Sequence, residues 1–139
     1  MKKIIGILVL SLLWSGIASA KNLRVIDGDT IILNGEKIRF SGIDTPELKQ
    51  TCLKDNEEVG CGMFAKTLLV KKIGNNTPIC IGKEKDFYKR TLAECFVKGE
   101  SLSKFLVRSG YAFAYRKYSK KFVKDEDFAK IDKLGMWSM

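Results

Sequence analysis

The chain has 139 residues with 25 Lys and Arg against 16 Asp and Glu, four cysteines and no histidine. Without histidine, Ser-His-Asp and Cys-His catalysis are excluded, so any catalysis must use carboxylates, Arg, Lys, Tyr or a metal ion. The length suits one domain with a single core. The net charge of +9 is compatible with a polyanionic partner and equally with solubility alone.

Residues 1–20 have the pattern of a secretory signal peptide. Two lysines at positions 2 and 3 precede a mostly apolar run over 4–13, and Ala-Ser-Ala at 18–20 supplies a cleavage site. The apolar run is shorter than the about 20 residues that a membrane span requires. We therefore expect cleavage, export to periplasm or medium, and a mature domain over 21–139 without stable membrane association.

Two or three short strands are predicted between residues 23 and 43, from LRVI, TIIL and KIRF. In the third, Ile38 and Phe40 alternate with Arg39, which places the arginine on the opposite face. Asn34-Gly35 between the second and third strands predicts a tight hairpin, because both residues tolerate positive φ.

Three helices are predicted from apolar residues at helical spacing. Their stripes are Ala65, Leu68, Leu69 and Ile73, from about residue 59 to Gly74; Leu102, Phe105 and Leu106 before Gly110; and Phe128, Ile131 and Leu134 before Gly135. Two further strands fit residues 78–82 and 90–97. This order predicts an α+β, mainly β domain whose five strands could close into a small barrel.

Four cysteines, Cys52, Cys61, Cys80 and Cys95, lie in the mature part. An exported chain meets an oxidising compartment, so disulfides are expected. Zinc is the competing interpretation, but the chain has no C-x-x-C motif and no histidine. Four cysteines allow three pairings, among which the spacing does not choose.

Asp29 and Asp44 fall at strand ends, in IDGDT and GIDTPE. Oxygen ligands from two ends of one small sheet suit Ca²⁺ or Mg²⁺, but spacing alone favours the alternative that both residues cap local backbone N–H groups. Arg39 and Arg90 each carry a guanidinium that can hold two phosphate oxygens. The alternative for either arginine is a solvated strand residue.

Taken in chain order, a series of short motifs runs from about residue 23 to 137. It comprises IDGDT, Arg39, DTPE, D-x-Y-x-R-x-L-A, G-x-x-x-x-Y and G-M-W. Each motif is weak alone, but the ordered set is specific, and it resembles the staphylococcal-nuclease (thermonuclease) family. The resemblance implies a five-stranded OB-fold barrel with three helices. It also implies an endonuclease that cleaves DNA and RNA with Ca²⁺ and leaves 3′-phosphates.

The resemblance implies a Ca²⁺ site built from residues of the first two motifs. Asp29 and Asp44 match the family's Ca²⁺-binding aspartates. Thr45 matches the residue that gives the ion a backbone carbonyl. Asp27 would support the site from outside the ligand shell.

Catalytic and nucleotide-binding roles follow from the same resemblance. Glu47 matches the proposed general base, which would activate or orient a water. Arg39 and Arg90 match the pair that grips the phosphate, and Tyr88 and Tyr115 match tyrosines that line the nucleotide site. The implied substrate is single-stranded or locally melted DNA or RNA, cleaved by a monomer. A non-catalytic OB-fold module that binds single strands is the alternative.

One loop of the chain departs from the family's usual sequence. In Asp86-Phe87-Tyr88-Lys89-Arg90, Lys89 stands where the family usually has glycine, and Phe87 stands where some members have lysine. The first change puts the turn before Arg90 in doubt, and the second puts in doubt a contact to a terminal phosphate.

The cysteines are a further departure, because the namesake enzyme lacks them. Exported relatives with paired cysteines are similar to this chain. By that likeness we expect Cys52 to pair with Cys61, closing the loop after DTPE. Cys80 would pair with Cys95, across two strands predicted to be neighbours.

Overall fold

The computed structural model describes residues 22–139, so the predicted signal peptide lies outside the described residues. Ten strands and three α-helices follow one another in this part of the chain. The strands β1 to β10 are Leu23–Val25, Thr30–Leu33, Glu36–Phe40, Ile43–Asp44, Cys52–Lys54, Glu57–Val59, Ile79–Ile81, Thr91–Val97, Glu100–Ser101 and Phe113–Ala114. The helices α1 to α3 are Cys61–Ile73, Leu102–Arg108 and Val123–Ile131, and a 3-10 helix, Gly135–Ser138, follows them.

The main sheet has the strand order β1-β2-β3-β8-β7, and β9 pairs with β8. The β3–β8 pairing is parallel, and the other pairings in this sheet are antiparallel. Asn34 and Gly35 take φ of 50° and 82°, which confirms the predicted tight hairpin between β2 and β3. The α+β class and the three helices are confirmed, whereas a closed five-stranded barrel stays a prediction.

The core lies between this sheet and the helices. The stripe predicted for α1 is confirmed, because Ala65, Leu69 and Ile73 are buried and Leu68 packs against the core. In α2, the side-chain oxygen of Ser101 caps the helix by accepting a hydrogen bond from the Lys104 N–H at 3.2 Å. Helix α2 packs against β8 and β9, and helix α1 packs against β1 and α2.

In the C-terminal helix, the buried residues are not those of the predicted apolar stripe. Phe128 and Ile131 are 38% and 79% exposed, whereas Asp125 and Glu126 are buried. The prediction of which face is buried was therefore wrong. Each buried acid is paired with a cation, Arg108 for Asp125 and Arg116 for Glu126, so these ion pairs, together with the buried Ala129, form the inner face of this helix.

Two disulfides confirm the expected pairing. Cys52 is bonded to Cys61, and Cys80 to Cys95. The first closes a hairpin of β5 and β6, which the sequence did not predict, onto the start of α1. The second joins residues directly opposite each other on β7 and β8. Among residues 22–139, no helix is long and apolar enough to cross a membrane.

Candidate functional site

Asp29, just before β2, and Asp44, at the end of β4, are held together by Arg39. The Arg39 Nη1 lies 2.5 Å from Asp29 Oδ2, and its Nη2 lies 3.2 Å from Asp44 Oδ1. The β2–β3 register explains this arrangement, since Arg39 faces Thr30, the residue after Asp29. Three residues predicted for one site therefore meet around one guanidinium.

Asp29 is the most strongly constrained of these acids. Its side chain is nearly buried, and it accepts hydrogen bonds from the Thr30 hydroxyl at 3.0 Å and the Thr45 N–H at 3.1 Å. Burial raises the pKa of Asp29 to about 6, and the charge of Arg39 opposes part of that rise. Asp27 supports the turn from outside by accepting a hydrogen bond from the Asp29 N–H at 3.1 Å.

The surroundings of Asp29 suit a hard cation. Within residues 22–139 no three acidic or cysteine side chains form a metal cluster, so a cation would rely on Asp29, Asp44 and neutral oxygens. The buried Thr45 Oγ1 has no hydrogen-bond partner among the described residues. Two carboxylates converging on one positive charge, beside an unpaired oxygen, fit Ca²⁺, which also accepts carbonyl and water ligands.

Gly28 allows this corner of the site to be tight. A Cβ at this position would lie 2.9 Å from the Ala65 Cβ and 3.0 Å from the Thr45 Oγ1. Real Cβ atoms essentially never come as close as the first of these distances. The glycine of IDGDT therefore serves the close approach of Thr45 and helix α1 to the turn that carries Asp29.

Glu47 has a fixed backbone and an unengaged carboxylate. Its N–H donates to Gln50 Oε1 at 3.1 Å, and its carbonyl accepts the Gln50 N–H at 2.8 Å. A Cβ on Gly62 would lie 1.8 Å from the Glu47 carbonyl oxygen, so only glycine lets α1 pack here. The Glu47 side chain is exposed and forms no hydrogen bond or ion pair within the described part of the chain.

Arg90 is held by Asp86, an acid outside the set of predicted site residues. Asp86 Oδ1 accepts the backbone N–H groups of Tyr88 and Arg90, each at 2.9 Å, and its Oδ2 accepts Arg90 Nε at 2.7 Å. Burial would raise the pKa of Asp86, but the hydrogen bonds and charge of Arg90 outweigh it, so the pKa is lowered. The D-x-x-x-R spacing in DFYKR is the signal that could have identified this pair.

The turn before Arg90 keeps the conformation that a glycine would give it. Lys89 takes a φ of 62°, in the left-handed region where non-glycine residues are uncommon. The departure at this position therefore changes the side chain while leaving a left-handed turn. Phe87, the other departure, is 96% exposed and touches Tyr88 edge-on, with ring centroids 5.8 Å apart.

A cleft of ≈ 500 Å³ joins the arginines to the tyrosines. Its lining includes Arg39, Arg90, Tyr88 and Tyr115, which come from three separate segments of the chain. The Arg90 guanidinium lies 5.4 Å from the centre of the Tyr88 ring. The structure thus brings the predicted phosphate-binding and nucleotide-binding residues into one cavity.

Tyr115 is anchored by contacts that the sequence did not indicate. Its N–H donates to the Gly42 carbonyl at 2.9 Å. On either side of it, the Ala114 N–H and Arg116 Nη1 donate to the buried Glu126 at 2.6 and 2.8 Å. Helix α3 therefore fixes the segment that carries Tyr115, through an acid with no recognisable sequence signal.

Comparison with known proteins gives a consistent family. Residues 37–139 match the family model described as "Staphylococcal nuclease homologue". Relatives in Bacillus subtilis are "Endonuclease YncB", 35% identical over 83% of this chain and 59% of its own length, and "SPbeta prophage-derived endonuclease YokF", 33% identical over 83% and 42%. An "Uncharacterized endonuclease" of Escherichia coli O157:H7 is 27% identical over 99% of this chain and 91% of its own. The chain thus spans less than two thirds of these two Bacillus relatives.

Proposed function

The chain belongs to the staphylococcal nuclease family, and on that premise we propose that it is an exported, Ca²⁺-dependent endonuclease. It hydrolyses phosphodiester bonds of DNA and RNA with little sugar or sequence specificity and leaves 3′-phosphates. Relatives named endonucleases support the activity. The resemblance in the sequence motifs supports the metal and the type of product.

The observation that carries the proposal is the position of Arg39. It holds Asp29 and Asp44 together while lining the cleft that also contains Arg90. A module that only binds single strands would gain nothing from acids beside a phosphate cleft, because they repel a polyanion unless a cation neutralises them. The arrangement therefore favours catalysis over binding alone.

Asp29, Asp44 and the Thr45 carbonyl would hold the Ca²⁺ ion. When bound, the ion supplies a fixed positive charge that polarises a phosphoryl oxygen. Burial raises the pKa of Asp29 to about 6, and a cation bound at this position would counteract that rise, because it stabilises the charged carboxylate.

The chain's own residues supply the other requirements of phosphodiester hydrolysis. The free carboxylate of Glu47 orients a water and accepts its proton. Arg39 and Arg90 stabilise the negative charge that builds on the phosphoryl oxygens, and Arg39 has N–H donors beyond those its acids use. Tyr88 and Tyr115 offer aromatic faces to bases, which favours single-stranded or locally melted substrate.

Export is supported by the two disulfides, which persist in oxidising compartments and are rare in the cytosol. The signal-like pattern of residues 1–20 supports the same location. We propose that the mature domain is a monomer, free of the membrane, in periplasm or medium.

Two substitutions test the role assignments. Arg90→Ala should lower kcat roughly 10²–10³-fold by removing a charge-stabilising donor, and Glu47→Gln should lower it roughly 10²–10⁴-fold by removing the base. Arg24→Ala, at an exposed position on β1 outside the cleft, is the matched control. A folded Arg90→Ala or Glu47→Gln protein with the control's kcat on single-stranded DNA would refute that residue's role.

A further inference from the structure

A second groove of ≈ 910 Å³ lies on the molecule beside the cleft. Strand β8, the β8–β9 turn and helix α2 form its walls. Lys98, Lys104 and Arg108 line it, together with the half-buried Phe96. Positive charge beside an accessible aromatic ring is the combination that binds single-stranded nucleic acid without sequence preference.

The groove and the cleft share a border. Glu94 and Lys121 line both cavities and form an ion pair with each other. Glu94 also accepts a hydrogen bond from the Ser101 hydroxyl at 2.8 Å, so this border is fixed. A single nucleic-acid strand that left the cleft across Lys121 would therefore enter the groove directly.

The acids of the groove are neutralised, whereas two of its lysines are not. Glu94 pairs with Lys121, and Glu100 pairs with Lys72 at 2.6 Å. Lys98 and Lys104 are exposed and form no ion pair with any residue of 22–139. Their charges are thus available to an incoming polyanion.

Strand β8 runs from the cleft to the groove, so its length gives the distance between them. Arg90 immediately precedes this seven-residue strand and Lys98 immediately follows it. At about 3.3 Å per residue they are separated by at most about 26 Å. Stacked nucleotides advance about 3.4 Å each, so a strand of about eight nucleotides reaches from one to the other, whereas a dinucleotide does not.

We propose that the basic groove carries the continuation of the substrate strand. A single strand whose scissile phosphate lies between Arg39 and Arg90 runs over Lys121, and Lys98 and Lys104 contact its backbone phosphates. This inference rests on the proposed function. Contacts in the groove would give the protein a higher kcat/KM on long single strands than on short ones.

The test compares two pairs of charge-removing substitutions in the purified protein. Lys98→Gln with Lys104→Gln removes the free charges of the groove. Lys66→Gln with Lys71→Gln removes two lysines of α1 that line neither cavity and form no ion pair with the described residues. Each protein is assayed with a dinucleotide and with a single strand of about 16 nucleotides, the upper end of typical site sizes. Fluorescence anisotropy in chelator measures binding of the long strand against salt.

The groove pair should lower kcat/KM on the long strand roughly tenfold and reduce the salt slope of binding by about 1.4, at about 0.7 for each phosphate that is no longer neutralised. The dinucleotide rate and the α1 pair should be unchanged. Equal losses in both pairs, a loss on the dinucleotide, or no loss on the long strand would each overturn the inference. If the wild type cleaves neither substrate, the proposed function fails, and the anisotropy series still decides whether the groove binds the strand.

Discussion

Asp86→Asn separates two roles that one carboxylate performs. Oδ1 accepts the backbone N–H groups of Tyr88 and Arg90, and Oδ2 accepts Arg90 Nε. Asparagine keeps one carbonyl oxygen for the backbone groups but presents an amide donor to Arg90 Nε. The turn is therefore retained, and the hold on the Arg90 side chain is lost.

The size of the effect follows from that one hydrogen bond. A hydrogen bond to a charged group is worth about 1.5–3 kcal/mol, which corresponds to about 10–150-fold in rate if it all serves to position Arg90. The Arg90 side chain is 24% exposed, and its contact with the Tyr88 ring remains. We therefore expect the lower end, a roughly tenfold loss of kcat, with the fold preserved.

Steady-state kinetics on a single-stranded oligonucleotide and urea unfolding measure the two parts of this prediction. Glu84→Gln is the control, because Glu84 lines the same cleft and its side chain forms no hydrogen bond or ion pair with Arg90. Asp86 acts through Arg90, so Asp86→Asn should have no further effect in an Arg90→Ala protein. An additional loss in that background, or the control's kcat in the single variant, would refute the reasoning.

Two further predictions concern the supports of the site. Burial would raise the pKa of Glu126, but hydrogen bonds from Arg116, the Ala114 N–H and Lys130 lower it, so its stabilisation is present above its unfolded pKa and is lost as pH falls. Glu126→Gln should cost about 2–3 kcal/mol in urea unfolding at pH 7, less than a fully buried pair because both cations are about half exposed. Loss of the same size at low pH would contradict this. The free energy of unfolding of Lys89→Gly should differ from that of the wild type by less than about 1 kcal/mol. Glycine relieves the strain at φ 62° but adds conformational entropy to the unfolded chain. Lys89→Val should be less stable than Lys89→Gly by about 1–2 kcal/mol, and equal stabilities would show that this turn is not strained.

The elements predicted from the sequence were those with a local cause. The Asn34-Gly35 hairpin needs only two residues that tolerate positive φ, and the stripe of α1 needs only 3.6-residue periodicity. The face of α3 could not be read this way. Its orientation depends on buried acids that pair with Arg108 and Arg116, and those contacts exist only in the folded chain.

The candidate site likewise has features that the sequence predicted and features that only the structure shows. The spacing of the motifs selected Asp29, Asp44, Arg39 and Arg90, and the structure brings the first three together. The bridging role of Arg39 was not predicted, because it depends on contacts of its side chain with two acids that meet only in the folded chain. The sequence placed Arg39 on the strand face opposite Ile38 and Phe40, and the structure confirms this: those two residues are buried in the core, and the Arg39 side chain is 15% exposed between two acids. The Asn34-Gly35 hairpin sets the register of β2 and β3, but the positions of the Asp29 and Asp44 carboxylates relative to the guanidinium exist only in the folded chain.

The central claim is that Asp29 and Asp44 hold a Ca²⁺ ion beside a phosphate cleft that catalyses hydrolysis. The most direct measurement is the initial rate of cleavage of single-stranded DNA and of RNA as free Ca²⁺ is raised and then chelated. We expect that both substrates are degraded with Ca²⁺, that chelation stops the reaction, and that Asp29→Asn abolishes the Ca²⁺ response. Intact DNA and RNA in saturating Ca²⁺, with the protein folded, would contradict it.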